Sequence, residues 1–376
     1  MALVIFIVLL SALILIHELG HFGVAKKLGI RVEEFGLGLP PRLIGKKIGE
    51  TLYSLNLLPF GGFVKLTGED VEDEGEDLLK DPRSFVSRPP LQRAAVLVAG
   101  VVMHTILAIF LFYIVLIANN FKTSYIPLFF EYDFRFGESH KIGTVVSGVM
   151  EESAAAQGGI ELGEAIRSVD GVPISSVYDL RDVLRQRPHQ EVEIVLTDLR
   201  TPDSSIERSV KVLPQLDEEG YPLLGVYLSE AVSISYDTPV QKAFGGFLHS
   251  YNVLSYSLSA FSKIISISVT ERSLTPVSQS VSGPVGIYSI IGGVLDYGGD
   301  KLFINVIDFA ALMAISLAFI NIIPFPALDG GRLVFIIIEF IRGKRLAPVL
   351  EGQIHKVGMA LLLFLLLAVT LKDIFT

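Results

Sequence analysis

The sequence predicts a polytopic α-helical membrane protein with about four transmembrane helices, a membrane-associated β-hairpin and one small inserted α+β domain. Of the 376 residues, 51% are hydrophobic and only 19% are charged, a more apolar balance than soluble proteins of this length have. The apolar residues are concentrated in blocks, several of them about 20 residues long, as a membrane-spanning helix requires. A long polar region separates the second block from the third, and it contains strand-like runs.

The charge and the cysteine count exclude several classes of function. The formal net charge of −9 argues against nucleic acid as a partner, because binding to phosphates needs a basic surface. The chain has no cysteine, so it can form neither a disulfide nor a thiolate metal site. Any metal ligands must therefore be His, Asp or Glu.

Four segments are long and apolar enough to cross a lipid bilayer. They cover residues 2–24, 94–118, 306–328 and 354–371. The first segment lacks the basic start and the small-residue cleavage site of a signal peptide, so we expect the mature protein to keep it. The first two segments define an N-terminal membrane part, 1–118, and the last two belong to a C-terminal membrane part, 301–376.

Basic residues near the ends of the segments predict their orientation. Lys and Arg flank the loop between the first two segments and the loop between the last two, so both loops are expected on the cytoplasmic side. The long region 119–305 holds 23 Asp and Glu against 14 Lys and Arg, and it is expected to be extracytoplasmic. The bacterial inner (plasma) membrane fits this arrangement.

One further segment, 244–270, is apolar enough to suggest a fifth span. It is rich in Ser, however, and carries His249, Asn252 and Lys263. These polar residues favour an amphipathic helix that lies at the membrane interface. We therefore expect an interfacial amphipathic region over 240–300.

Two regions predict β-structure. The pattern of residues 51–66 predicts two short strands about a turn at 59–62. This hairpin either offers an edge to an extended peptide or is an ordinary loop hairpin. Residues 138–215 contain strand-like runs and a helix over 177–186 whose apolar residues share one face. The second region predicts a small extracytoplasmic α+β domain.

The residues that point to chemistry lie in the first apolar segment. His17 and His21 are four residues apart, so both imidazoles lie on one helical face and can hold one metal ion. Glu18 is placed to take a proton from a water that the metal activates. Ionisable side chains at membrane depth are costly and indicate function. The pattern predicts hydrolysis of peptide bonds in or at the edge of a bilayer.

A catalytic zinc site needs a third protein ligand. The candidates in apolar surroundings are His104, Asp308, Asp329 and Glu339. With four spans, the third runs in the same direction as the first, which puts Asp329 at a depth similar to that of the two histidines. A fifth span over 244–270 would put it on the opposite side. We therefore predict Asp329, whose alternative role is that of a helix N-cap.

The chain resembles the site-2 protease family of intramembrane zinc metalloproteases. The resemblance rests on His-Glu-Leu-Gly-His at 17–21, on Asn-Ile-Ile-Pro-Phe-Pro-Ala-Leu-Asp-Gly-Gly at 321–331, and on an intervening PDZ-like domain. Within that family the chain is most similar to the bacterial regulator-of-sigma-E protease type, with a single PDZ domain. The first motif alone is a modest signal, but the combination is highly specific.

The resemblance implies a function and a set of site residues. It implies zinc as the cofactor, held by His17, His21 and Asp329. Glu18 would be the general base, and Asn321 would hold the substrate backbone. It also implies that the β-hairpin is associated with the membrane. The substrates would be single-span membrane proteins, such as anti-sigma factors, or remnant signal peptides.

The sequence allows alternatives for one residue and for the function. His104 stands where many relatives have Asn, and it can serve either in a helix–helix hydrogen bond or in tuning the metal site. The chain can also be a non-catalytic membrane scaffold whose PDZ-like domain binds partner tails. A metallopeptidase of the type that trims prenylated proteins is the third reading, and Glu339 would then be a ligand.

Overall fold

The structure is a computed structural model that describes residues 1–69, 78, 80–199, 207–216, 220–273, 275–297, 301–345 and 348–375. The chain divides into two compact units. The first comprises Met1–Leu111, Lys263–Asp296 and Asn305–Thr376, and the second comprises Phe112–Ser262 and Tyr297–Ile304.

The described residues form helices and strands in a mixed order. The helices are α1 (Ala2–Lys27), α2 (Pro90–Ala118), α3 (Ala154–Gln157), α4 (Val177–Arg185), α5 (Pro239–Ala243), α6 (Gly245–Glu271), α7 (Thr275–Ser280), α8 (Pro284–Tyr297), α9 (Leu302–Ile322), α10 (Asp329–Arg342) and α11 (Pro348–Phe375). The strands are β1 (Val32–Ile48), β2 (Thr51–Leu66), β3 (Ile126–Leu128), β4 (Glu138–Val149), β5 (Glu164–Val169), β6 (Val172–Pro173), β7 (Val192–Asp198), β8 (Glu207–Val212), β9 (Gln215–Leu216), β10 (Pro222–Leu223) and β11 (Val226–Ser235).

Among the described residues, five helices are long and apolar enough to cross a membrane. They are α1, α2, α6, α9 and residues Leu350–Phe375 of α11. Four of them coincide with the predicted spans, and the fifth, α6, is the segment for which we expected an interfacial position. The protein is a polytopic helical membrane protein, as the sequence predicts. The third span ends earlier than predicted, at Ile322, because Pro324 and Pro326 lack the N–H groups that a continuing helix needs.

The predicted hairpin is larger than residues 51–66. That stretch forms β2 alone, which pairs antiparallel with the preceding β1. In the register, Leu37 of β1 is paired both with Leu55 and with Gly62 of β2. The two ends of β2 therefore lie on opposite sides of β1. The sequence does not predict β1, because its glycines and its Pro40-Pro41 pair are typical of a loop.

A buried cluster holds the first unit together. Ala25 of α1, Val32 of β1, Leu66 of β2, Val96 of α2 and Ile336 of α10 all belong to it. Each of these side chains is 5% exposed or less. The two ends of the hairpin and the helices that carry the candidate ligands are therefore fixed against the same core.

The second unit contains a seven-stranded sheet. Its strands follow the order β3-β11-β4-β5-β7-β8, and β6 pairs with β5. The apolar core lies between this sheet and the helices α3 and α4, and includes Ala155, Ile166, Leu180 and Ile194. Helix α4 coincides with the helix that the apolar periodicity predicts, because a capping box begins it at Ser176.

The first half of α6 is hydrogen-bonded to the strand region of the second unit. The side-chain amide of Asn252 donates to the carbonyl oxygen of Phe136 at 2.8 Å. The hydroxyl of Tyr256 donates to the carbonyl oxygen of Pro127 at 3.1 Å and accepts from the backbone N–H of Phe129 at 2.9 Å. Polar residues of α6 that argued against a span thus have protein partners.

Candidate metal centre

The two histidines of the first helix and Asp329 converge on one point. His17 Nε2 and His21 Nε2 are 3.0 Å apart. Asp329 Oδ2 lies 3.0 Å from His17 Nε2 and 3.3 Å from His21 Nε2. Among the described residues, this is the one group of three or more His, Asp or Glu side chains that could hold a metal ion.

This donor set fits zinc. Two imidazole nitrogens and a carboxylate oxygen are a known catalytic zinc ligation, which leaves a fourth position open. A tetrahedral ion that binds its ligands at about 2.0–2.1 Å separates them by about 3.3 Å, close to the separations found here. Asp329 Oδ2 is buried and has no hydrogen-bond partner within the described part of the chain, a cost that a bound cation removes.

The backbone of α2 orients the second histidine. His21 Nδ1 lies 2.8 Å from the carbonyl oxygen of Val96. Because a carbonyl only accepts, Nδ1 carries the hydrogen and donates it, which leaves the Nε2 lone pair free for a metal. This contact fixes both the tautomer and the ring orientation of His21.

Close packing of α1 against α2 places the first histidine. A Cβ atom at Gly100 would lie 2.4 Å from His17 Cε1, and a Cβ atom at Gly20 would lie 2.5 Å from the carbonyl oxygen of Ala99. Only glycine allows these approaches, as at other tightly packed membrane helices. The His17 ring therefore rests on the surface of α2, where Gly100 leaves room for it.

A break between two helices brings Asp329 to the site. Helix α9 ends at Ile322 and α10 begins at Asp329. At Gly330 a Cβ atom would lie 2.3 Å from the carbonyl oxygen of Ile323, so the glycine lets α10 begin directly against the loop. The carboxylate is thus presented from the first residue of a helix whose position the loop determines.

Comparison with known proteins identifies the family. The sequence profile described as "Peptidase family M50" matches residues 5–365. The chain belongs to peptidase family M50. The predicted resemblance to site-2 proteases is confirmed, and this M50 peptidase is a membrane-bound zinc metalloprotease.

Individual relatives match this M50 peptidase over nearly its full length. A predicted zinc metalloprotease of Clostridium perfringens is 33% identical over 364 residues, which is 97% of this chain and 96% of that protein. The regulator of sigma-W protease RasP of Bacillus subtilis is 26% identical over 455 residues, covering 98% and 97% of the two chains.

Two solved structures match only part of the M50 peptidase. The PDZ domain of an SdrC-like protein from Listeria monocytogenes is 19% identical, with a TM-score of 0.20, and covers 27% of this chain and 93% of that chain. The PDZ domain of the corresponding protein from Listeria innocua is 26% identical, also with a TM-score of 0.20, and covers 23% and 92%.

The predicted base lies beside the converging side chains. Glu18 is half-buried and interacts electrostatically with His17, His21 and Asp329. No described residue forms a hydrogen bond with Glu18. The hairpin passes next to it, since a Cβ atom at Gly62 would lie 4.0 Å from Glu18 Cγ. A carboxylate next to the three ligand atoms can accept a proton.

The hairpin is attached to α1 one turn and a half before the histidines. The hydroxyl of Ser11 donates to the carbonyl oxygen of Pro59 at 2.7 Å. A Cβ atom at Gly61 would lie 3.2 Å from Ile14 Cδ1. Residues 59–62, where the sequence predicts a turn, are part of β2 and lie along the helix that carries Glu18.

The other residues that the sequence singles out lie outside the converging group. Asn321 is half-buried in the last turn of α9, on the helix that leads to Asp329. His104 is 1% exposed, and its ring centroid is 4.9 Å from that of His17, but it does not join the converging group. Asp308 lies two turns into α9 and also stays outside the group.

Glu339 has a different role from that of a ligand. Its carboxylate accepts hydrogen bonds from Arg93 of α2 at 2.5 Å and from Arg345 at 3.1 Å. The ion pair joins α2 to α10. Glu339 lies outside the converging group, so the structure gives no support to its role as the third ligand or to a likeness to peptidases that trim prenylated proteins.

Proposed function

We propose that His17, His21 and Asp329 hold the zinc ion and that Glu18 is the general base for cleavage of peptide bonds in membrane-embedded substrates. The observation that supports this most directly is that the ligand atoms of His17, His21 and Asp329 converge beside Glu18. The donor set and the open fourth position match the requirements of catalytic zinc.

The protein's residues divide the reaction between them. Bound zinc supplies Lewis acidity toward the scissile carbonyl and lowers the pKa of a water molecule to about 7. Glu18 accepts a proton from the attacking water and returns it to the leaving amine as the C–N bond breaks. The carbonyl oxygen of Val96 keeps His21 in the tautomer that binds metal.

We propose that the hairpin and Asn321 hold the substrate in an extended form. A helical backbone uses its own carbonyl groups, so the substrate must unwind before one of them can reach the site. The hairpin segment around Gly62 lies beside Glu18, and strand addition is a common way to bind an extended peptide. The amide of Asn321 can donate to and accept from such a backbone.

We propose single-span membrane proteins as the substrates. Anti-sigma-factor-like proteins and remnant signal peptides are the two classes that the resemblance implies. The name of the Bacillus subtilis relative, a regulator of sigma-W protease, supports the first class. The lipid bilayer is the environment in which both classes reach the site.

The proposed topology has four spans, with α6 at the interface. His21, near the end of α1, contacts Val96, near the start of α2, so the two helices are antiparallel. Asp329 follows the end of α9, so α1 and α9 end at the same depth. An even number of crossings must therefore separate α2 from α9, and a single crossing by α6 would violate this.

The contacts of α6 support the same proposal. Its residues up to Tyr256 are hydrogen-bonded to strand segments of the second unit. Only about 15 residues then remain, or about 22 Å of helix, whereas the hydrocarbon core is about 30 Å thick. We infer that α6 lies along the membrane surface.

We propose that the metal centre lies near the cytoplasmic face of a bacterial plasma membrane, with residues 138–215 on the opposite side. Lys26 and Lys27 end α1, which agrees with the positive-inside rule. Residues 138–215 would act as a PDZ-like filter that excludes substrates with large ectodomains, and a passive spacer is the competing role.

Zinc removal and replacement test the proposed function. Cleavage of a single-span reporter by the detergent-solubilised protein should stop when a chelator removes the metal, and it should return on addition of zinc. A soluble peptide with the same cleavage sequence serves as the control for membrane dependence. Cleavage that survives complete removal of zinc would refute the proposal.

A further inference from the structure

The loop that precedes Asp329 contains an unfavourable backbone conformation. Ala327, two residues before Asp329, has φ = +83°. The left-handed region is costly for residues with a side chain, because Cβ approaches the neighbouring carbonyl oxygen. Residues in such conformations persist where surrounding contacts hold them, and they cluster at functional sites. Some contact must therefore hold Ala327.

The hydrogen bonds of the loop identify that contact. Pro324 and Pro326 have no N–H group. Other N–H groups of the loop donate to carbonyl oxygens of the same segment: Ile323 to Ile320, Phe325 to Ile323 and Leu328 to Phe325. The N–H of Ala327 instead donates to Nδ1 of His355, at 3.0 Å. This bond connects the loop to α11, 28 residues further along the chain.

Helix α11 packs closely against the loop. Gly358 lies one turn after His355 on the same face of α11, and a Cβ atom at Gly358 would lie 2.4 Å from Cβ of Pro326. Phe335 of α10 contacts the His355 ring edge-on, with centroids 5.3 Å apart. The imidazole is thus enclosed between the loop and α10, and its orientation is fixed.

We propose that His355 is a positioning residue for the metal centre. By accepting the hydrogen bond from Ala327, it holds the left-handed residue in place and sets the direction in which the chain enters α10. This direction determines where the carboxylate of Asp329 lies relative to His17 and His21. The inference rests on the proposed role of Asp329 as a zinc ligand, and His355 acts only through that residue.

Zinc affinity of three variants tests the proposal. His355→Ala should weaken zinc binding by about 10- to 100-fold, as loss of an outer partner of a metal ligand does. His355→Asn should keep most of the affinity, because its Oδ1 takes the place of Nδ1 as acceptor. Affinity is measured by competition with a chelating dye on the full chain in detergent, together with kcat and KM for a single-span reporter.

A second substitution separates positioning from general damage to the fold. Ala327→Gly removes the cost of the left-handed conformation, so it should restore most of the zinc affinity that His355→Ala loses. Met359→Ala, on an exposed part of α11, is the control and should leave affinity unchanged. A merely structural role of His355 predicts no such rescue by glycine.

The outcomes are distinguishable. Zinc affinity of His355→Ala within twofold of wild type would overturn the proposal, and so would a loss in His355→Asn as large as in His355→Ala. An equal loss with and without Ala327→Gly would also overturn it. If Asp329→Asn binds zinc as tightly as the wild type, the proposed ligand set is refuted. The inference about His355 then fails as well.

Discussion

His21 of α1 donates a hydrogen bond from Nδ1 to the carbonyl oxygen of Val96 in α2, over 2.8 Å. A metal-binding histidine is commonly oriented by such a partner, and here the partner is a backbone atom. The geometry of the site therefore depends on how closely α1 and α2 pack. No side-chain substitution at Val96 removes this acceptor. Substitutions that separate the two helices should, however, lengthen or break the hydrogen bond.

Gly100→Ala should weaken zinc binding by about tenfold or more. The new methyl group would lie 2.4 Å from His17 Cε1, so the imidazole or the helix must move. Zinc affinity of the purified variant measures the effect. Gly23→Ala is a matched control on α1, because a Cβ atom there meets nothing within 4 Å. Equal affinities of the two variants would contradict the packing argument.

Arg93→Ala should lower the free energy of unfolding by about 2–3 kcal/mol. The side chains of Arg93 and Glu339 are only 8% and 15% exposed, so the variant leaves a largely buried carboxylate that keeps its hydrogen bond from Arg345. Lys141→Ala removes an exposed ion pair with Asp133 and should cost less than about 1 kcal/mol. Thermal unfolding in detergent compares them, and similar midpoints would contradict the account.

Glu339→Gln should retain full zinc affinity. Glu339 is engaged by two arginines, so neutralising it affects the contact between α2 and α10 and leaves the ligand set intact. The same dye competition assay measures this variant beside Asp329→Asn. A loss of zinc in Glu339→Gln comparable to that in Asp329→Asn would restore Glu339 as a ligand candidate.

Cysteine labelling tests the position of α6. The chain has no cysteine, so a single introduced thiol gives an unambiguous signal. Asp237→Cys precedes α6 and Arg272→Cys follows it. If α6 lies along the surface, a membrane-impermeant maleimide added outside the cell should label both. Labelling of Asp237→Cys from outside and of Arg272→Cys only after cell lysis would show that α6 crosses the membrane.

The sequence predicts the local part of the site well. The spacing of His17 and His21 on a helix already determines that their rings share a face, and the match of α1 to the first predicted span follows from composition alone. Helix α4 is predicted within one residue, because its apolar residues recur with the period of a helix. Both features depend on residues close together in the chain.

Features that depend on distant contacts are harder to predict. Strand β1 resembles a loop because of its glycines and prolines, and only pairing with β2 makes it a strand. The choice of Asp329 over Asp308 required an argument about membrane topology. The bonds from His21 to Val96 and from Ala327 to His355 each use a backbone atom, which leaves no signature in the sequence.

The most direct test of the central proposal compares wild type with Glu18→Gln in detergent, measuring bound zinc and cleavage of a single-span reporter in the same preparation. Glutamine has nearly the same shape as glutamate but cannot take the proton from water. We predict one zinc ion per chain in both proteins and cleavage by the wild type alone. Cleavage by Glu18→Gln at the wild-type rate would contradict it.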